Sequence, residues 1–141
     1  MPSLPSDNTR LKAIVDDLMF LDDWDERYSY LIDLGRRLEP LPPDAYCDAN
    51  KVPGCASQVW LSMARNPDKR LHILGDSDAL IVKGLVALVL ALFDNRPCDE
   101  IAALDAQGFF TAIGLRDHLT SQRANGLASM VNRIQSEARR A

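Results

Sequence analysis

The amino-acid sequence predicts an α+β domain in which helices pack on one face of a small antiparallel sheet. Apolar residues recur at helical spacing near both ends of the chain, and an alternating pattern broken by one turn lies between them. No internal repeat or linker divides the 141 residues. Two helices, a hairpin and then mostly helices are the element order of an α+β domain. We therefore expect a single domain over residues 1–141.

Two helices are predicted before residue 40. The first covers residues 9–21, because apolar side chains lie at positions i, i+3, i+4 and i+7 from Leu11. The second begins after Asp22 and Asp23, whose carboxylates suit the start of a helix. It ends near Leu38, before a run that contains three prolines.

A long loop and a β-hairpin are predicted in the middle of the chain. Residues 39–54 are rich in proline, which disfavours regular structure, and loops of this length are often functional. Residues 56–65 and 70–74 tend to alternate between apolar and polar side chains, and the sequence NPDK between them is typical of a turn. The hairpin is expected to end at Gly75.

Helices are predicted for most of the remaining chain. The sequence DSD at residues 76–78 offers capping side chains for a buried helix over residues 79–93, in which Lys83 is the one charged interior residue. Short helices are expected over residues 99–104 and 109–113. The last helix begins near Thr120, and its apolar stripe contains Leu127, Met130, Val131 and Ile134.

The composition argues against several classes of function. Lys and Arg total 16 against 20 Asp and Glu, so the chain lacks the basic excess of nucleic-acid-binding proteins. Residues 1–8 lack the pattern of a signal sequence, and the most apolar stretch, residues 84–93, is shorter than the about 20 residues that cross a bilayer. We expect a cytoplasmic protein that binds neither nucleic acid nor a membrane.

Cys55 is the strongest candidate for chemistry. It lies where the long loop meets the first predicted strand, so a regular element fixes one side of it. Gly54 permits backbone angles that other residues avoid, and Pro53 restricts the chain just before it. The loop can hold a thiol in such a place against the protein and can also release it. The alternative is that Cys55 fills a gap as a small hydrophobe, which is the commoner fate of a lone cysteine.

Four segments carry motifs that occur together in one family. Residues 54–60 read GCASQVW, residues 24–35 read WDERYSYLIDLG, residues 75–85 read GDSDALIVKGL, and residues 119–127 read LTSQRANGL. They resemble, in order, GC-x-SQVW, W-x-x-[KR]Y…I-x-LG, GDSDA-x-IVKG and L-[ST]-x-x-R-x-x-GL of the SufE/CsdE family of sulfur-acceptor proteins. Four motifs in the family's order make coincidence a poor explanation.

The resemblance implies a SufE-like fold, related to that of the IscU-like iron-sulfur scaffold proteins. It implies that Cys55 accepts persulfide sulfur from a pyridoxal-phosphate cysteine desulfurase of the SufS/CsdA type and stimulates that enzyme. The sulfur then passes to an iron-sulfur scaffold or another acceptor. Such a protein is an accessory sulfur carrier with no cofactor of its own, and its cysteine loop moves between sheltered and exposed positions.

The supporting residues expected around this cysteine are Gly54, Ser57, Asp78 and Arg123. Arg123 lies four residues before Leu127, hence on the apolar face of the last helix, and it matches the arginine of the family motif. We expect it to lower the pKa of the thiol or to orient the persulfide, unless it only packs over the rim of the core. Asp78 matches the second aspartate of GDSD and is expected to steady the cysteine loop by hydrogen bonding, as well as to help cap the helix.

Other readings of the cysteines remain open. Cys47 and Cys98 match no family motif and are treated as incidental, although the spacing of Cys47 and Cys55 leaves room for a loop disulfide under oxidation. Three cysteines could ligate an iron-sulfur cluster or, with a histidine, zinc, but no C-x-x-C pair is present. A thiol hydrolase would need His72 or His118 as a base. The cysteine of a helical interaction module would be structural.

Overall fold

The computed structural model describes residues 9–55 and 57–140, so the predictions for residues 1–8 and for Ala56 lie outside it. The α-helices are α1 (Thr9–Phe20), α2 (Trp24–Arg36), α3 (Leu80–Phe93), α4 (Cys98–Ala103), α5 (Ala106–Ala112) and α6 (Ser121–Arg139). The strands are β1 (Val59–Arg65), β2 (Arg70–Ser77) and β3 (Arg96–Pro97), and short 3₁₀ helices cover Pro43–Ala45, Asp48–Asn50 and Arg116–His118. The predicted α+β class is confirmed.

The three strands form an antiparallel sheet in the order β1-β2-β3. The predicted hairpin is present, and its register pairs Val59 with Ser77 and Arg65 with Leu71. Along β2, Leu71 and Ile73 are buried while His72 between them is exposed, so the helices cover one face of the sheet. The two-residue strand β3 was not predicted, because it is too short to show any alternation of side chains.

Helix α3 is the central element of the core. Its residues from Gly84 to Phe93 are all buried, because α2, β2, α6 and α1 pack around it. Two glycines allow the backbones of α2 and α3 to touch: a Cβ atom on Gly35 would lie 2.7 Å from the amide nitrogen of Gly84. The charged side chain of Lys83 in this apolar helix forms an ion pair with Asp76, with 3.3 Å between Nζ and Oδ1.

The predicted cap of α3 is wrong. The N-cap residue is Ala79, and no side chain caps the helix there. Asp76 and Ser77 belong to β2, which runs past its predicted end at Gly75 because it pairs with β1 as far as Ser77. The carboxylate of Asp78 binds Gln58 instead, just before β1.

Several other boundaries differ from the predictions by a few residues. Helix α2 ends at Arg36, two residues before the predicted end, and β1 begins at Val59. Helix α5 begins at Ala106, earlier than predicted, because the Asp105 carboxylate accepts a hydrogen bond from the amide of Gly108 and caps its first turn. Helix α6 begins after Thr120, as predicted, and the Thr120 hydroxyl caps it.

The long loop between α2 and β1 is fastened to the end of the sheet. The hydroxyl of Tyr46 donates a hydrogen bond to Asp76 over 2.5 Å, and the Tyr46 ring packs edge-on against Trp60. Further along, the amide of Val52 donates to the carbonyl of Val59 over 2.8 Å. The loop therefore returns along the start of β1 before it reaches Cys55.

Candidate functional site

Cys55 lies between the loop and the first turns of helix α6. Its side chain is half-buried, and its Sγ donates a hydrogen bond of 3.6 Å to the carbonyl oxygen of Gly126. A Cβ atom on Gly126 would lie only 3.3 Å from this sulfur. The glycine therefore provides the space that the thiol occupies against the helix.

A cavity of about 260 Å³ opens beside the thiol. Its lining residues come from the loop, α3 and α6: Cys55, Ser57, Val82, Leu85, Thr120, Gln122, Arg123, Gly126, Leu127 and Met130. The side chains from α3 and the buried face of α6 are apolar, whereas Thr120, Gln122 and Arg123 are exposed and form a polar rim. The cavity has ample room for one additional sulfur atom on Cys55, between apolar walls and the polar rim.

A second, more open groove lies on the other side of the cysteine and measures about 590 Å³. It is lined by Asp48, Ala49, Lys51, Val52, Pro53, Gly54, Cys55, Ser57, Gln58 and Arg133. Cys55 and Ser57 are common to both linings. The thiol therefore lies at the boundary between the cavity and the open groove.

Gly54 gives the loop its direction at the cysteine. Its φ angle is +85°, which lies in the left-handed region that glycine tolerates and other residues avoid. A Cβ atom at this position would also lie 2.8 Å from Oγ of Ser129 on α6. Backbone angle and close packing both require glycine here, which accounts for its place beside the cysteine in the sequence.

Asp78 binds the chain just after the cysteine. Its Oδ1 accepts a hydrogen bond of 3.0 Å from the amide of Gln58, and its Oδ2 accepts one of 3.2 Å from Nε2 of the same residue. The amide of Asp78 donates in return to the carbonyl of Gln58 over 3.3 Å. These contacts are of the kind expected from the sequence, and the part they play in function stays a prediction.

Burial raises the pKa of the Cys55 thiol above its ordinary value. This direction is opposite to the one expected if Arg123 lowered the pKa. Arg123 does line the same cavity, but its side chain is exposed at the rim. In the conformation described, the thiol is therefore neutral near pH 7 and is a poor nucleophile. The second expectation for Arg123, that it orients a persulfide, stays a prediction.

We expect the Arg123→Ala variant to leave the pKa of Cys55 in the free protein within about half a unit of the wild-type value, because burial dominates that pKa and exposed charges are strongly screened. The ¹³Cβ chemical shift of Cys55, followed by NMR against pH, reports the titration of this one thiol. A pKa that rises by a whole unit in the variant would instead assign Arg123 the pKa-lowering role.

The three cysteines do not meet in the fold. Cys98 begins α4, and its amide donates to the carbonyl of Lys69 at the hairpin turn. Cys55 lies near the opposite end of β1, and a seven-residue strand spans roughly 20 Å. Cys47 is exposed in the loop. Within residues 9–55 and 57–140, no group of three or more His, Cys, Asp and Glu side chains is placed to hold a metal ion.

Neither histidine is placed as a base for Cys55. His72 lies on the exposed face of β2, with its Nδ1 3.3 Å from Oδ1 of Asp94. His118 stacks on Trp24, with 4.1 Å between the ring centroids. Neither one lines the cavity or the groove. The thiol hydrolase reading therefore has no support from the part of the chain that is described.

A cluster of polar residues that was not predicted from the sequence fastens the loop. Burial alone would raise the pKa of Asp76, but hydrogen bonds from Tyr46 and from the amide of Ser77, together with the nearby Lys83 ammonium, outweigh it and lower that pKa. The hydrogen bond to Asp76 in turn raises the pKa of Tyr46. Arg133 was also missed, because it belongs to no motif and lies outside the apolar stripe of the last helix.

The comparison with protein-family models decides the family. Residues 12–138 match the model described as SufE, Fe-S metabolism associated domain. The chain belongs to the SufE family. A SufE-like protein of Rhizobium etli, named as uncharacterised, is 53% identical to this SufE-family chain over 132 residues, which cover 92% of the chain and 89% of the relative. One from Rhizobium meliloti, named in the same way, is 51% identical over 133 residues, which cover 92% and 95%.

The fold of this SufE-family chain also resembles a solved structure. The solution structure of a hypothetical protein from Thermus thermophilus superposes with a TM-score of 0.76 at 19% identity, over 97% of this chain and 96% of the other. The family model and the two relatives confirm the family that four sequence motifs predicted, and that family connects the chain with iron-sulfur metabolism and a sulfur-transfer role. None of the helices described has the length and apolar character to cross a membrane.

Proposed function

We propose that this SufE-family protein accepts sulfane sulfur on Cys55 from a cysteine desulfurase and passes it toward iron-sulfur cluster assembly. The observation that supports this proposal best is the place of the thiol, which is half-buried at the boundary of a cavity with apolar walls and an open groove. A carrier must meet its donor and then protect its cargo, and this position suits both tasks. The chain itself would act stoichiometrically, without a cofactor of its own.

The transfer begins with the thiolate of Cys55. Its sulfur attacks the outer sulfur of the persulfide on the desulfurase, a new S–S bond forms, and the donor's S–S bond breaks. The donor cysteine leaves as a thiolate, and the proton lost by Cys55 goes to solvent or to that thiolate. The oxidation level of the transferred sulfur does not change. No oxidant is therefore required.

Movement of the loop would couple exposure to reactivity. In the described conformation, burial raises the pKa of Cys55 and keeps the thiol neutral. When the loop carries Cys55 outward, the burial penalty disappears and the pKa falls toward its ordinary value. The thiol thus gains nucleophilic character at the moment when it becomes accessible to the donor.

After the transfer, the cavity is suited to shelter the persulfide. The outer sulfur would lie among apolar side chains such as Val82, Leu127 and Met130, where thiol reductants in solution have poor access. Arg123 at the rim offers a cation to the persulfide, which ionises more readily than a thiol. Gln58, held by Asp78, would keep the chain after the cysteine in a fixed place while the preceding part of the loop moves.

The intact mass of the protein tests the proposal. After incubation with a SufS/CsdA-type desulfurase and free cysteine, we expect a gain of one sulfur atom that a reductant removes. Peptide mapping is expected to place this sulfur on Cys55. A chain that gains no mass while the desulfurase turns over, or that carries the sulfur on Cys47 or Cys98, would overturn the assignment.

The alternative of an iron-sulfur scaffold receives no support from the geometry. A scaffold needs several ligands around one cluster, whereas Cys98 lies at the hairpin end of the sheet and Cys55 at the other. A sulfur carrier needs a single accessible thiol. The arrangement of the described residues therefore favours the carrier.

A further inference from the structure

Helix α6 holds the cysteine loop through an arginine that belongs to none of the sequence motifs. Arg133 is half-buried and lines the open groove together with Ala49 and Lys51 of the loop. Nη1 donates a hydrogen bond of 3.3 Å to the carbonyl of Lys51, and Nη2 donates a short one to the carbonyl of Ala49. One side chain of α6 thus binds two backbone carbonyls of the segment that leads to Cys55.

Arg133 is the last member of a row of contacts along one face of α6. Gly126, Ser129 and Arg133 follow the spacing i, i+3 and i+7, which places them on the same side of a helix. Gly126 contacts the thiol of Cys55, and Ser129 packs against Gly54. The first of these contacts includes the hydrogen bond from the thiol to the Gly126 carbonyl, and the second is a packing contact. The contact made by Arg133 is different, because a long charged side chain donates two hydrogen bonds to the backbone of the loop.

The contacts on the sheet side of the loop are of another kind. The amide of Val52 donates to the carbonyl of Val59, and Gln58 is bound by Asp78. These bonds fasten the loop along the start of β1, close to where it joins the strand. The hydrogen bonds of Arg133 tie the loop to the helix instead, so residues 49–51 cannot move away from α6 without breaking them.

We propose that Arg133 is a positioning residue that holds the cysteine loop in its sheltered conformation. Its importance for sulfur transfer rests on the proposed function, but its effect on the loop does not. The two acceptors are neutral carbonyls near solvent, so the bonds contribute a modest stabilisation that thermal motion can overcome. Arg133 thereby sets the fraction of molecules in which Cys55 is accessible.

Alkylation of the three cysteines measures this fraction. Opening of a loop is fast compared with slow alkylation, so the rate at Cys55 follows the open population. Glutamine lacks the reach and the charge of arginine. In Arg133→Gln we therefore expect alkylation of Cys55 to be about fivefold faster, which is the change that follows from the loss of one hydrogen bond of modest strength. Mass spectrometry of the peptides gives the rates at Cys47 and Cys98 in the same sample, and both should stay unchanged.

Two variants serve as controls. Arg139 lies on the same helix, but its Nη2 donates to the carbonyl of Ala102 in α4, so Arg139→Gln should leave the rate at Cys55 unchanged. Arg133→Lys keeps the charge and can reach one carbonyl at most, so its rate should lie between wild type and Arg133→Gln. An unchanged Cys55 rate in Arg133→Gln, or an equal acceleration of all three cysteines, would overturn the proposal.

Stimulation of a desulfurase gives a second measurement. If the desulfurase binds the form with the open loop, a lower concentration of the Arg133→Gln variant should give half-maximal stimulation of the enzyme. We expect this concentration to fall by the same factor of about five, with an unchanged maximal rate. Alkylation requires no desulfurase, so the two proposals can fail separately. Faster alkylation without any stimulation by the wild-type protein would overturn the proposed function and support the role of Arg133.

Discussion

Replacing Cys55 with serine is expected to abolish sulfur acceptance completely. The variant should gain no mass after incubation with a desulfurase and cysteine, and it should not raise the rate of that enzyme. Serine keeps the size of the side chain, but its hydroxyl does not ionise near neutral pH and cannot take part in thiol–disulfide exchange. Intact-mass measurement and the release of sulfide from the desulfurase check the two parts of this result.

The other two cysteines provide matched controls for this experiment. Cys47 is exposed and Cys98 lies beside Lys69 at the hairpin turn, so Cys47→Ser and Cys98→Ser should accept sulfur like the wild-type protein. Thermal unfolding of all three variants should be similar, because each change is small. Full stimulation by Cys55→Ser would show that the cysteine is structural and that the chain is an interaction module.

The sequence predicted those helices whose apolar side chains keep a regular spacing. The stripe of α6 is the clearest case, since Leu127, Met130 and Ile134 are all buried as expected. The predicted end of β2 was wrong for a physical reason. A hairpin that ends at Gly75 is what the sequence predicts, but a Cβ atom on Gly75 would lie 2.7 Å from Cγ1 of Val86. This glycine lets a continuing strand pack closely on α3, and a sequence does not distinguish that role from a turn.

The site was predicted in part. The spacing of Arg123 from Leu127 and the family motif predicted that Arg123 lies near Cys55. The two residues do line one cavity, although 68 positions separate them in the chain. The direction of the pKa shift at Cys55 could not be predicted, because burial arises only when α3 and α6 close around the thiol. The contacts of Tyr46 and Arg133 were missed for a similar reason, since they join segments that are distant in sequence.

The Gly84→Ala substitution is expected to have the largest effect on stability. A Cβ atom on Gly84 would overlap the backbone carbonyl of Leu31 in α2, with 2.6 Å to its carbon atom. Backbone atoms cannot turn aside as a flexible side chain does, so α2 and α3 would have to separate along the most buried helix of the fold. We expect the free energy of unfolding to fall by about 3 kcal/mol and the melting temperature by about 10 °C, as calorimetry or circular dichroism would measure.

Gly126→Ala is the matched control, because it also places a methyl group on a glycine inside a helix. Its Cβ atom would lie 3.3 Å from Sγ of Cys55, which a small shift of the loop relieves. Alanine is also favoured over glycine in helices by about 1 kcal/mol, so the stability of this variant should stay within about 1 kcal/mol of wild type. Equal losses in both variants would mean that the contact between α2 and α3 is no more rigid than the contact with the loop. A loss confined to Gly84→Ala would show a rigid core beside a cysteine loop that can yield, which is the combination that a sulfur carrier requires.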